Sequence, residues 1–271
     1  MKLQNVTHRT KIRHRNEINS TFSKLPLSAR RLLFMAIAQL DPKRVIEQGQ
    51  VFRITANDYA MISDIDISVA YKQLKEGANE LQHSVLSIPK SQLLEPLIRA
   101  GEPLLPRKNK KSPSDTIRSM NLTEYCDYAE SEGYVDIRFT GVIEPYICRL
   151  ADNFTTQALL SAARLSENNA SSLYQLVRKN ISMGKYSYFE IGIDELKDEL
   201  NLYKVEDGLK NYFYPDFKIF NRAFLKKNVT LISKVTEVKN FNYEVSEKIG
   251  RKASKLKFSY TISKDETDDE K

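Results

Sequence analysis

The sequence predicts an α+β fold of two tandem winged-helix domains related by pseudo-duplication. Three observations predict it. A run of helix, strand, short helix, longer helix and closing strand occurs in the first half and recurs in the second. The longer helix of each half carries an apolar face opposite a polar one. The chain closes on two alternating strands around Gly250, the hairpin that distinguishes a winged helix from a plain helix-turn-helix. Identity between the halves is slight, so the duplication rests on the order of elements. With 271 residues, 41% of them hydrophobic, there is material for two packed cores.

In the first half, Ser28 and the spacing of Leu32, Leu33, Met35, Ala36, Ile37 and Leu40 predict a helix that ends at Asp41-Pro42, because proline blocks continuation. Val51-Phe52-Arg53-Ile54 alternates as a strand does. Thr55-Ala56-Asn57-Asp58 offers a capping box for a helix through Met61. A longer helix follows from Ile67 to Leu81, with Ile67, Ala70, Leu74, Ala78 and Leu81 as its inner stripe, and then a strand over Val85 to Ile88. Residues 99–118 hold Gly101, three prolines and six basic residues, which predicts a mobile basic loop. Tyr134 to Phe139 alternates, and a helix around Ile143 to Leu150 leads into the second half. There the helix is Ser171 to Ile181, the strand Tyr186 to Ile191, the short helix Asp194 to Leu200, and the long helix follows Pro215-Asp216. The closing strands are Glu237 to Val245 and Lys255 to Ile262. The expected divisions are a basic arm 1–15, a first domain 16–140, a second domain 141–262 and an acidic, disordered tail 263–271.

Charge points to the partner. The formal net charge is +7, but residues 264–271 hold five acids against two lysines, a net −3 that leaves +10 on the rest. The excess gathers in the arm (Lys2, Arg9, Lys11, Arg13 and Arg15, with no acid before Glu17), in 107–118, and in 210–257, where twelve Lys/Arg face four Asp/Glu. Such an excess suits a polyanion, because each neutralised phosphate releases condensed counterions. No run approaches the roughly 18 apolar residues of a membrane span, and the first fifteen residues lack the apolar stretch of a signal peptide. A soluble, cytoplasmic protein with no membrane partner is expected. Cys126 and Cys148 lack metal-ligand spacing and are expected as buried thiols.

On a helical wheel of the second long helix, Phe217, Phe220, Phe224, Leu231, Ile232 and Val235 share one face and Lys218, Arg222, Lys226 and Ser233 the opposite one. A recognition helix presents its N-terminal residues to the major groove, so Lys218 and Arg222 are the expected readers of base edges or flanking phosphates. Arg222 is favoured for bases because its fork bonds guanine O6 and N7 together, whereas Lys226 suits a phosphate. Asn221, a residue type that pairs with adenine, lies nearer the core edge. Wing residues Lys248, Arg251, Lys252 and Lys255 are expected along the backbone or minor groove. In the first domain, Ser68, Lys72, Lys75 and Asn79 face outward with Tyr71 at the stripe's border; with Glu76 beside the lysines, phosphate positioning is favoured over base reading.

Catalysis finds no support in the sequence. Tyrosine-nucleophile nicking needs a histidine cluster for its metal, and only His8, His14 and His83 are present. There is no GxxxxGK[ST] loop for nucleotide phosphates and no GxSxG elbow. No cofactor or metal is expected, and the acids Asp194, Glu195, Asp198 and Glu199 suit a solvated helix face.

A series of segments resembles the Pi-type replication initiators of bacterial plasmids with iterons, which are directly repeated origin sites. They are Lys11-Ile-Arg-His-Arg-Asn-Glu-Ile, Leu25-Pro-Leu-Ser-Ala-Arg-Arg, Tyr71-Lys-Gln-Leu-Lys-Glu-Gly, Ile143-Glu-Pro-Tyr-Ile, Phe154-Thr-Thr-Gln, Ser171-Ser-Leu-Tyr-Gln-Leu-Val-Arg-Lys, Tyr214-Pro-Asp-Phe and Gly250-Arg-Lys-Ala-Ser-Lys-Leu-Lys-Phe. Residues 84–118 depart from the family's pattern. The resemblance implies two winged helices clamping double-stranded iteron DNA, with the second recognition helix reading bases. It also implies a monomer-dimer equilibrium: monomers start replication, while dimers formed through the first domain act in autorepression and copy control. The host's replication initiator and replicative helicase are implied as partners. Rival expectations are a tandem winged-helix transcriptional regulator, a nicking initiator and an RNA-binding protein; the last is disfavoured because the aromatics fall on core faces and not on stacking platforms.

Overall fold

A computed structural model describes residues 2–41, 43–94 and 116–263. Most of the basic loop at 99–118, and the acidic tail beyond Ser263, therefore lie outside the described residues. Contacts divide the chain into two units, Met1–Arg164 and Leu165–Lys271.

In the first unit, β1 (Lys11–Arg15) leads through a short turn to α1 (Asn19–Lys24) and α2 (Leu27–Ala38). Then come β2 (Phe52–Thr55), α3 (Ala56–Ser63), α4 (Ile67–Gln82), β3 (Val85–Pro89), β4 (Ile117–Asn121), β5 (Thr123–Ala129) and β6 (Tyr134–Phe139). The unit closes with α5 (Glu144–Ile147), β7 (Phe154–Ala158) and α6 (Leu159–Arg164). Helix α2 is buried on every side from Ala29 to Ala38, and its C-terminal part is accordingly apolar all round: Leu32, Leu33, Phe34, Met35 and Ala36 are fully enclosed. Its two arginines are buried as well, and they bind carbonyls. Arg30 Nη2 donates to the carbonyls of Ser23 (2.9 Å) and Leu25 (3.1 Å), and Arg31 Nε donates to that of Ala163 (2.7 Å). Arg31 Nη1 also donates to Gln73 Oε1 (2.7 Å), so one side chain ties α2 to both α6 and α4.

Helix α3 starts with the expected capping box: Thr55 Oγ1 accepts from the Asp58 amide and Asp58 Oδ2 accepts from the Thr55 amide. Helix α4 starts where Asp66 caps the Ser68 amide at 2.7 Å. It approaches α2 so closely that a Cβ on Gly77 would lie 2.8 Å from the Ser28 carbonyl oxygen. Only glycine permits this approach. Ile67, expected on the inner stripe, is exposed, because it stands in the first turn before α4 meets the core; Ala70, Leu74, Ala78 and Leu81 form the stripe.

Strands β2, β6 and β5 form an antiparallel sheet with β6 central, while β3 pairs with β4 in a separate two-stranded sheet. Several expectations need correction here. Residues 11–15 do not form a free arm: β1 pairs antiparallel with β7, Lys11 opposite Ala158 and Arg15 opposite Phe154, burying Ile12 and His14. The same pairing carries the first unit past the expected boundary at 140/141, because its first strand needs residues 154–158 as partner. The helix expected at 143–150 is the single turn α5, stopped by the extended backbone of Cys148 and the left-handed Arg149 (φ 50°). Cys148 is buried and Cys126 half-buried; burial pushes the thiols up to about 12 and about 11.

The second unit runs α7 (Asn168–Ser182), β8 (Tyr188–Gly192), α8 (Ile193–Glu199), β9 (Tyr203–Glu206) and β10 (Leu209–Tyr212). A composite helix comes next, made of α9 (Phe217–Phe220), a π turn (Asn221–Leu225) and α10 (Lys226–Val235), and then β11 (Val238–Ile249) and β12 (Lys252–Ile262). Its sheet has the order β11-β12-β8. In each unit the first strand of the winged helix pairs with the last strand of the closing hairpin, so β8-β12-β11 repeats β2-β6-β5. This shared topology is the pseudo-duplication. The units differ in their insertions: β3 and β4 follow the long helix of the first, whereas the β9–β10 hairpin separates the short and long helices of the second. The core of the second unit joins α7 (Leu173, Tyr174, Val177 and Ile181) to a ring cluster in which Phe258 lies 5.1 Å from Phe189 and 5.6 Å from Phe241. Within it, Arg178 Nη1 meets Glu237 Oε1 at 3.1 Å, and the Tyr174 hydroxyl donates to the same oxygen at 2.7 Å.

Candidate nucleic-acid interface

The composite helix of the second unit begins at the expected place. Asp216 caps it, its Oδ1 accepting from the amides of Lys218 (2.6 Å) and Ile219 (3.3 Å), and the carboxylate complements the exposed amides of the first turn. Phe220 and Phe224 are buried and stacked 5.2 Å apart; Lys197 Nζ lies over the Phe220 ring at 5.4 Å. Lys218, Arg222 and Lys226 are exposed on the opposite side, as the wheel predicts.

Beyond Lys226 the wheel fails, because the π turn fits one extra residue into the helix and rotates the C-terminal half by about 100° relative to the N-terminal half. Leu225, Asn228 and Val229 join the core with Ile232, while Leu231 and Val235 become half-buried. Ser233, expected outward, is drawn to the border, and Lys227, Thr230 and Lys234 take the exposed face. Lys227 is tied to Glu167 at 2.8 Å. Asn221 is half-buried and accepts a hydrogen bond from the Tyr243 hydroxyl on β11.

In the wing, Ile249 pairs with Lys252 across a two-residue turn in which Gly250 takes φ 61°. Lys248, Arg251 and Lys252 are exposed around it and make no ion pair among the described residues. Lys255 differs: its ammonium meets Glu247 at 3.0 Å, which pushes its pKa up and leaves it partly neutralised. The structure thus brings Lys248, Arg251 and Lys252 together at one tip and sets Lys255 apart on β12.

In the first unit, Ser68, Tyr71, Lys72, Lys75 and Asn79 are all exposed along α4. Their positive charge is largely countered. Lys75 Nζ meets Glu130 of the β5–β6 turn at 2.6 Å, and Lys72 faces Glu76 at 3.9 Å. The Ser68 hydroxyl donates to Asp66, which also caps the helix. The Tyr71 ring rests on Gly133, where any Cβ would come within 2.3 Å of it, and Gly133 is left-handed at φ 66°. These contacts fit a positioning surface better than a set of base readers.

Two features escaped the sequence reading. The β9–β10 hairpin projects Lys204, Val205 and Leu209 into solvent and is anchored by Asp198, which accepts from Lys210 Nζ (2.9 Å) and the Tyr212 hydroxyl (3.0 Å). Asp207-Gly208 between alternating strands was its available signal. Tyr243 had no such signal, since its role depends on a contact with Asn221 across 22 residues. Among the described residues no group of three or more His, Cys, Asp or Glu could hold a metal ion, and no helix is long and apolar enough to cross a membrane.

Comparison with known proteins places this arrangement. Residues 11–178 match the first winged-helix domain (WH1) of the initiator replication proteins, and residues 192–260 match the second (WH2) of the initiator Rep proteins. The PI protein of Escherichia coli is 44% identical over 269 residues, covering 97% of this chain and 87% of the relative. A crystal structure of the Pi initiator protein in complex with iteron DNA superposes with a TM-score of 0.82 at 41% identity, covering 96% of this chain and 100% of that one. With both winged helices matched in order, this chain belongs to the family of plasmid-type initiator replication proteins built from WH1 and WH2 domains.

Proposed function

We propose that the chain initiates plasmid replication by binding iterons in duplex DNA. The observation that carries this is the likeness over 96% of the chain to an initiator whose crystal structure contains iteron DNA. In this reading the composite helix of the second unit enters the major groove. Arg222, with Lys218 and Asn221, addresses base edges, and Lys226 a phosphate. Lys248, Arg251, Lys252 and Lys255 of the wing follow the backbone or minor groove. Ser68, Tyr71, Lys72, Lys75 and Asn79 of α4 fix register through phosphates. Monomers on neighbouring repeats bend the DNA and favour opening of an adjacent AT-rich segment, with binding energy as the source of work and no nucleotide hydrolysed. Dimers repress the chain's own gene, and the host's initiator and replicative helicase join at the opened origin in the bacterial cytoplasm.

Footprinting of the purified chain on the DNA flanking its own gene, at physiological salt with competitor, tests this. Protection of several direct repeats spaced by about two helical turns, each covered on one face, is the expected result. A single palindromic site would instead identify a transcriptional regulator, and absence of protection would refute DNA-sequence recognition altogether.

A further inference from the structure

Two irregularities meet beside the candidate reading helix. One is the π turn at Asn221–Leu225; such turns are rare in helices and frequent at functional sites. The other is a bulge in β11. Lys239 pairs with Thr261 and Asn242 with Ser259, three steps on one strand against two on the other, with Asn240 left-handed at φ 50°. An extra residue inverts the inward-outward alternation beyond it. Val238 faces inward before the bulge, and Phe241 and Tyr243 face inward after it. In a regular strand Asn242 would occupy the inward place.

The bulge therefore turns Tyr243 toward the helix. Its ring lies 6.1 Å from that of Phe258, and its hydroxyl donates to Asn221 Oδ1. Burial pushes the phenol's pKa up, so it is a proton donor throughout the neutral range. With Oδ1 engaged, the carboxamide cannot turn over without breaking this bond, and its nitrogen has no hydrogen-bond partner among the described residues. Arg222, exposed, is the next residue.

We propose that Tyr243 is a positioning residue for base reading: it holds the Asn221 carboxamide with its nitrogen presented, so that Asn221 donates to one base-edge acceptor. Purine N7, guanine O6 and thymine O4 are such acceptors in the major groove. The two-bond pairing that a free asparagine makes with adenine is thereby disfavoured. This rests on the reading of the composite helix as the major-groove element.

The test uses the full chain and fluorescence anisotropy on the repeat it protects, with each base pair replaced in turn. Tyr243→Phe keeps the ring and removes the hydroxyl. It should lower discrimination at one base pair by roughly tenfold and raise relative affinity for adenine there, with the other positions, affinity for unrelated duplex and thermal midpoint unchanged. Asn221→Ala should erase the same preference, and adding Tyr243→Phe to it should change nothing more. Asn221→Asp still accepts from Tyr243 but cannot donate; its preference at that pair should move toward cytosine, whose N4 amine is a donor. This variant keeps the test decisive should Tyr243→Phe misfold. A Tyr243→Phe profile identical to wild type, or one weakened alike on every duplex, overturns the proposal, as does Asn221→Asp retaining the wild-type preference. If the wild-type chain binds the repeat no better than random duplex, the initiator reading itself falls, and this assignment with it.

Discussion

Mild acid should weaken the first unit through a single side chain. His14 on β1 is fully buried, its ring 4.8 Å from that of Phe22, its Nδ1 donating to the Arg15 carbonyl and its Nε2 accepting from the Gln157 amide at 2.8 Å. Burial lowers its pKa from 6.5 to about 4, against a small opposing effect of the Arg15 carbonyl. The unfolded chain then takes up a proton near pH 6.5 and the folded chain only near pH 4, so between these values protons bind the unfolded state preferentially and stability is lost as the pH is lowered. At 1.36 kcal/mol per pH unit of separation, the loss relative to pH 7 is about 2 kcal/mol at pH 5 and about 3 kcal/mol at pH 4. Urea unfolding of the wild type and of His14→Gln across this range isolates the effect, because carboxylates common to both cancel in the difference. The wild-type curve should descend more steeply below pH 6.5. Parallel curves would show that His14 is not held neutral by burial and would refute the argument.

Other expectations are as direct. Gly77→Ala places a methyl 2.8 Å from the Ser28 carbonyl oxygen and 2.9 Å from Leu32 Cδ1; separating α4 from α2 should cost about 1–3 kcal/mol in denaturant titration, and unchanged stability would mean that the helices part freely. Arg222→Ala should lose discrimination at one or two base positions, about 1–3 kcal/mol in a competition assay, whereas an equal loss on random DNA would make it a phosphate contact. Lys252→Ala should weaken all duplexes alike and make the salt slope shallower by about 1. Lys255→Ala, already facing Glu247, should move that slope less, and equal slopes for the two variants would remove the distinction between wing tip and strand.

The order of elements was legible in the sequence because apolar spacing and capping residues act locally: Thr55 and Asp58 cap α3, Asp216 caps the composite helix, and the alternation at Tyr134 to Phe139 coincides with β6. Features that depended on distant contacts were not legible. Lys11, Arg13 and Arg15 look like an arm by composition, yet the buried Ile12 and His14 between them make a strand once Thr155 and Gln157 stand opposite. The π turn leaves no trace in a wheel drawn at constant pitch, so Lys218 and Arg222 were placed correctly and Ser233 was not. The charges on α4 were visible; that Glu130, 55 positions away from Lys75, neutralises part of them was not.

The pairing of β1 with β7 also governs when the first unit can fold. Its opening strand waits for a partner that is synthesised about 140 positions later, a closure whose entropy must be lost before the contacts form. During translation the helices α2, α3 and α4 can assemble early, but Ile12 and His14 remain without their cover until Phe154–Ala158 has left the ribosome. A fragment ending near residue 140 would expose that apolar seam and tend to aggregate; an independent first unit has to extend through α6, to Arg164.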